Sequence, residues 1–448
     1  MTEKIDDPVD ATGSSDDRPT DSDTAPSALN QDDLLVLAPD VIADSLGDYL
    51  RAWWKRIRGG ESGALPIIMG LIVICIFFEV QSSAFLTATN IVNLLVQATF
   101  IILLGLAELY ALILSEIDLS VGFVGAVGAA IALALMGAPQ NWPWWAALIV
   151  GMAACAVIGA LQGLLITRLR IPSFVVTLAG LLGWQGVLIY VFDVDKGAVG
   201  GVISISNNVI DDLVSGSMTP AAGWILLIVA IALYATVTLL SSARRRSQGL
   251  TVPPRSITLL GVGAVAAAGV VLVWVCNLNR GTVTPLSGVP WVIPVVVLIL
   301  IGSSFLLART RLGRYIYAIG ASPEAARRAG INVTRIRTIA FALCSFTAGL
   351  AAVVYASRLG SISVGFDGGT YVLYAVAAAV IGGASLFGGY GKPIHPLLGG
   401  LVIATLTNGL ALLNITTAGT DIATAAVLIV AVAVDATLRR RGRSGAGG

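Results

Sequence analysis

The chain has 448 residues, of which 56% are hydrophobic and only 12% charged, with a formal net charge of +1 and a mean hydropathy of +0.88. That composition excludes a water-soluble domain from about residue 64 onward and points to an integral membrane protein. The charge is uneven: residues 1–48 hold thirteen acids against Lys4 and Arg18, which leaves the remainder basic.

Residues 1–40 are rich in Asp, Ser, Thr and Pro and too poor in apolar groups to bury a core, so a disordered acidic tail is expected. They lack the basic start and early apolar stretch of a signal peptide. Over 41–60, Ile42, Leu46, Tyr49, Leu50, Trp53, Trp54 and Ile57 recur at helical spacing, which predicts an amphipathic helix on the inner membrane surface. Apolar windows of about 20 residues, the length that crosses a bilayer as a helix, begin near 64, 91, 119, 144, 173, 221, 256, 290, 338, 371, 397 and 421. The expectation is an all-α polytopic membrane protein with about 12 transmembrane helices over residues 61–438, followed by a basic tail at 439–448. The Gly-rich third and tenth windows have the weakest boundaries.

Lysine and arginine locate the two faces. Arg51, Lys55, Arg56 and Arg58 precede the first span, and clusters follow at 168/170, 244–246, 309–337 and 439–443. The alternate loops hold only Lys196, Arg280 and Arg358. With twelve crossings every cluster lands on one side, so both termini are expected in the cytoplasm. The densest cluster is the loop 309–337, RTRLGRYIYAIGASPEAARRAGINVTRIR, with arginines at 309, 311, 314, 327, 328, 335 and 337. A helix-forming, arginine-rich loop held between two apolar spans is expected to dock a cytosolic partner. Within it Ser322 can cap a short helix, Pro323 suits its first position, Glu324 its positive end and Gly330 its termination.

Inside the spans, Gly122, Gly125 and Gly128, and Gly159 with Gly163, fit close helix packing. In GGASLFGGYG, Gly382, Gly383, Gly388, Gly389 and Gly391 predict a broken or re-entrant segment, because paired glycines are costly in an uninterrupted helix. Carboxylates at membrane depth must face protein, water or the interface. Glu79 lies at a span end and reads as interfacial, whereas Glu108, Glu116 and Asp118 need partners. Glu108 and Glu116 are eight residues apart, which on one helix places them on nearly the same face. That spacing allows a proton relay, or carboxylates bonded to neighbouring helices or facing a wet cavity. Cys75, Cys155, Cys276 and Cys344 are scattered and suggest neither a disulfide framework nor a metal site. His395, beside Pro393 and Pro396, reads as a loop residue. No cofactor is implied. A GxxxxGK[ST] loop is missing: Gly391-Lys392-Pro393 lacks the hydroxyl residue and has Leu386 where the first glycine should stand, so the chain is no ATPase by that mechanism.

Three segments together carry a resemblance. EIDLSVG at 116–122, IPSFVVTLAGLLGWQGV at 171–187, and the run from RTRLGRYIYAIGASPEAARRAGINV through VIGGASLFGGYGK to NGLALLNI stand in order across most of residues 61–438. The sequence resembles the permease subunits of bacterial ABC importers for monosaccharides, the ribose and xylose type of the branched-chain amino acid and sugar permease family. Glu324-Ala325-Ala326, then three residues, then Gly330, is similar to the EAA loop by which such permeases dock their ATPases. The two extra spans in 221–276 resemble the xylose-type branch. Ser115-Glu116 stands where the family often has Gly-Gly, and Glu108 is not a residue expected there.

The resemblance implies a non-catalytic permease of the bacterial inner membrane that imports xylose or a similar pentose or hexose. Its implied partners are an ABC ATPase, an extracytoplasmic sugar-binding protein, a second permease copy and membrane lipid, with no nucleic acid. Arg311, Gly313, Arg314, Glu324, Ala325, Ala326 and Gly330 are the candidate ATPase-coupling residues. Asp118, Ser120, Gly122 and Asn408 are the candidate pathway residues, since polar or small side chains suit a hydroxylated solute. The rival is a proton-coupled secondary sugar carrier using Glu108 and Glu116; such carriers often show inverted repeats, and no clear repeat is visible. A membrane-embedded enzyme is disfavoured because no clustered His, Cys or carboxylate set suits metal or nucleophilic work.

Overall fold

The computed structural model describes residues 65–195, 197–249, 255–281 and 285–429. The expected acidic tail, surface helix and basic tail lie outside these residues.

The described helices begin close to the expected starts: α1 Leu65–Gln81, α2 Ala88–Ile113, α3 Val121–Met136, α4 Trp144–Leu169 and α5 Ser173–Val194. After strand β1 (Val202–Ser204) come α6 Asn208–Ser215, α7 Pro220–Ser247, α8 Arg255–Asn277, α9 Val292–Arg309, α10 Arg311–Ala321, α11 Pro323–Arg328 and α12 Val333–Leu359. Strand β2 (Ser361–Ser363), α13 Gly368–Ile381 and α14 Ile394–Leu412 follow, then α15 Thr417–Ile429. Eight of the described helices, α2, α4, α5, α7, α8, α9, α12 and α14, are long and apolar enough to cross a membrane. The apolar helices α3 and α13 have 16 and 14 residues, short of the about 20 a full crossing requires. Each is preceded or followed by non-helical backbone inside the bundle.

The core forms where α12 packs on α4, α2 and α3, while α14 and α13 close over α2. Burial follows that order: 72% of the apolar window of α2 is buried against 6% for α7, which pairs with α8 at the periphery. Glycine makes the central contacts close. A Cβ at Gly125 would collide with the Ala348 carbonyl, and one at Gly159 with that of Phe341, as the packing reading requires.

Two features depart from the expected helix-and-loop reading. β1 and β2 pair antiparallel with Ile203 opposite Ile362, both buried, and the alternation in VISIS and SISV is the period-two signal that carries them. The loop 193–220 also contains α6, capped by Asn207, whose side chain accepts from the Val209 amide; Ser357 Oγ accepts from the Val214 amide at 3.1 Å and fastens α6 to α12. His395 is a third correction. It lies in the first turn of α14, is buried, and its Nδ1 accepts from the Lys392 amide at 3.3 Å.

Candidate functional site

The arginine-rich segment folds as α10 and α11. Ser322 Oγ accepts from the Ala325 amide at 3.2 Å, Pro323 opens the helix and Glu324 lies in its first turn. Beyond Arg328 the backbone reaches φ +82° at Gly330, and the Ile331 amide donates to the Ala326 carbonyl at 3.0 Å, a left-handed stop that glycine adopts without strain.

The coupling candidates divide into two groups. Arg311, Arg314, Glu324, Ala325 and Gly330 are exposed, whereas Gly313 and Ala326 are buried. A Cβ at Gly313 would meet the Leu307 carbonyl, so that position sets the bend between α9 and α10. Between α10 and α12 a groove of about 510 Å³ is lined by Leu312, Tyr315, Ile331, Arg335 and Ile339 among others.

This surface is joined to the membrane core at two places. The end of α2 and the broken Gly-rich segment meet beside α10: Ser115 Oγ donates to the Phe387 carbonyl at 2.7 Å, and the Gly389 amide donates to the Ile113 carbonyl at 2.8 Å. Gly388 and Gly389 have φ of +81° and +70°, and residues 382–393 are non-helical, the predicted break. Tyr317 donates its hydroxyl to the Gly391 carbonyl, and burial pushes this phenol above its ordinary pKa, which keeps it a donor. The second link is an ion pair of 3.1 Å between Arg337 and Glu116.

Glu116 therefore does not share a helix face with Glu108. The helix ends at Ile113, and the chain turns back so that the Asp118 amide donates to Glu108 Oε1 at 3.1 Å. Asp118 Oδ1 accepts from the Ser120 amide at 3.0 Å and its hydroxyl at 2.6 Å. Ser120 Oγ accepts from Gln162 Nε2 at 2.8 Å, and Cys344 Sγ approaches Asp118 Oδ2 at 3.8 Å. Glu108, Asp118 and Ser120 are fully buried, and Cys344, which meets Asp118, lies about 16 Å along α12 from Val333 by the rise per residue. Gln162 also lines an apolar groove of about 460 Å³ between α4 and α5 with Val175, Gly180 and Trp184. As a lone amide in an apolar span, Gln162 was a legible signal.

Of the other pathway candidates, Gly122 faces the Gly368 carbonyl, which leaves no room for a Cβ. Asn408 Oδ1 accepts from Asn90 Nδ2 at 2.9 Å. Asn90 and Glu108 are separated by about 27 Å along α2, so Asn408 and the Asp118 network occupy different depths.

Residues 90–432 match the family described as branched-chain amino acid transport system / permease component. The chain belongs to this permease family. It is similar to the xylose transport system permease protein XylH of Escherichia coli strain K12, 34% identical over 394 residues that cover 86% of this chain and 96% of the relative. XylH of Haemophilus influenzae is 32% identical over 84% of this chain and 96% of the relative. The ribose import permease protein RbsC of Escherichia coli strain K12 is 28% identical over 82% and 92%. No solved structure matches. The chain is thus a multi-pass membrane permease component, not itself an enzyme.

Proposed function

We propose that the chain is the transmembrane subunit of an ATP-driven monosaccharide importer in the bacterial inner membrane, with twelve crossings and both termini cytoplasmic. Xylose or a similar pentose or hexose is the cargo, a reading supported by the xylose and ribose permeases among its relatives. Two copies enclose the pathway, ATPase subunits dock beneath, and an extracytoplasmic binding protein delivers the sugar.

The observation that carries this reading is the capped helix α11, which presents Glu324, Ala325 and two arginines outward while Ala326 anchors it. Such a helix can sit in a cleft of a soluble protein and move as a rigid body. Its displacement would reach the bundle through the Tyr317–Gly391 and Glu116–Arg337 contacts. Asp118 and Ser120 keep their place along the pathway as polar groups linked to the α4–α5 groove by Gln162. Gly122 shapes it by close packing and Asn408 by its hydrogen bond with Asn90.

Gentle extraction from the native membrane, followed by mass spectrometry of what co-purifies, tests the docking. A subunit carrying a phosphate-binding loop is expected, with association weakened by Glu324→Ala and by Gly330→Pro in protein that still inserts and folds. Normal association in both variants would contradict it.

A further inference from the structure

Six aromatic rings form a continuous cluster: Phe100, Phe123, Phe366, Tyr355, Tyr371 and Tyr374. Ring centroids lie 5.0 Å apart for Phe100–Tyr355, 4.9 Å for Phe100–Tyr371, 5.4 Å for Tyr355–Tyr371 and 5.2 Å for Phe366–Tyr371. In a chain with only 7% aromatic residues, α2, α3, α12 and α13 all contribute. The phenylalanines are buried and the tyrosines half-buried, so the former support and the latter present.

Polar groups surround the presented rings. Tyr371 and Tyr355 hydroxyls lie 3.5 Å apart, and Tyr374 donates to Asp421 at 3.1 Å. Arg358 follows one turn after Tyr355 and lies near both Tyr355 and Tyr371, and Asp367 caps α13. Tyr355 is about 33 Å along α12 from Val333, so the cluster lies at the end opposite the arginine-rich loop. A lipid-facing surface looks different: on α7 and α8 the large exposed apolar side chains are mostly Ile, Leu and Val. Ring faces with hydroxyl, carboxylate and guanidinium groups at their edges match the two surfaces of a sugar, its C–H faces and its hydroxyls.

Resting on the importer reading, we propose that Tyr355, Tyr371 and Tyr374 form a monosaccharide-contacting station at the end of the translocation pathway remote from the ATPase. It is a weak station by construction, because half-exposed rings and rim hydroxyls let a solute pass rather than hold it.

The test is reconstitution of the permease with its ATPase and binding protein in proteoliposomes, with uptake of D-xylose and D-ribose and ATP hydrolysis measured together. Tyr371→Phe and Tyr374→Phe remove a hydroxyl and little else. They are expected to lower sugar moved per ATP at least about fivefold while ATP hydrolysis and the melting temperature of the complex stay near wild type. An unchanged ratio in both variants and in a folded Tyr371→Ala would overturn the station. So would uptake and hydrolysis falling together, the mark of a structural role. Wild-type complex that moves neither sugar with ATP would instead overturn the importer reading beneath it.

Discussion

Arg337, one turn into α12, holds Glu116 at 3.1 Å, so the segment that leads from α2 into the Asp118 network is fixed to the helix that follows the arginine-rich loop. On the proposed coupling, movement of α11 transmitted through α12 would reach residues 113–120 by this contact.

Breaking this pair by Glu116→Gln or Arg337→Gln is expected to destabilise the protein by roughly 1–3 kcal/mol, between the values for exposed and buried pairs, since the side chains are only 12% and 22% exposed. Thermal unfolding in detergent reads the loss. The charge swap Glu116→Arg with Arg337→Glu is expected to recover part of both stability and uptake; a swap no better than the single variants would show that the pair is not the coupling contact.

Removing the cap by Ser322→Ala should loosen α11 by about 1 kcal/mol without changing the bundle. Hydrogen exchange at the Ala325 amide is expected to speed up while the amides of α12 stay protected. Slow exchange in the variant would mean that the Ser322 hydroxyl does not hold the helix.

Glu108→Gln separates the importer from a proton-coupled carrier. The Asp118 amide needs only an acceptor at Glu108 Oε1, which glutamine supplies, so ATP-driven uptake is expected within about twofold of wild type. Loss of all uptake, with a folded protein, would favour carriage by protons.

The glycine contacts predict a contrast. Gly125→Val and Gly159→Val place carbon where a carbonyl already lies, and overpacking of about 1–3 kcal/mol or more follows. Gly70→Val and Gly183→Val meet open space and should leave the melting temperature nearly unchanged. Equal effects in the two sets would contradict the helix spacing.

The apolar helices, the capped α11 and the Gly-rich break were legible because each rests on local signals: run length, cap residues, paired glycines. The acidic network was not, for a local reason that failed. Eight-residue spacing joins Glu108 and Glu116 only if the helix continues, and it stops at Ile113, which sends Glu116 to Arg337 and Asp118 back to Glu108. The partners Gln162 and Cys344 come from α4 and α12, 42 and 226 residues from the groups they meet, and no periodicity reports a contact at that range. The aromatic cluster was hidden likewise, since its rings are contributed by four helices and, for Phe366, by the turn before α13.

The most direct test of ATP-driven import is sugar uptake into proteoliposomes holding the co-purified complex, compared with ATP alone and with an imposed proton gradient alone. Uptake of D-xylose that requires ATP and is abolished by Glu324→Ala is the predicted result. Uptake that follows the proton gradient without ATP, by this chain alone and unaffected by Glu324→Ala, would contradict it.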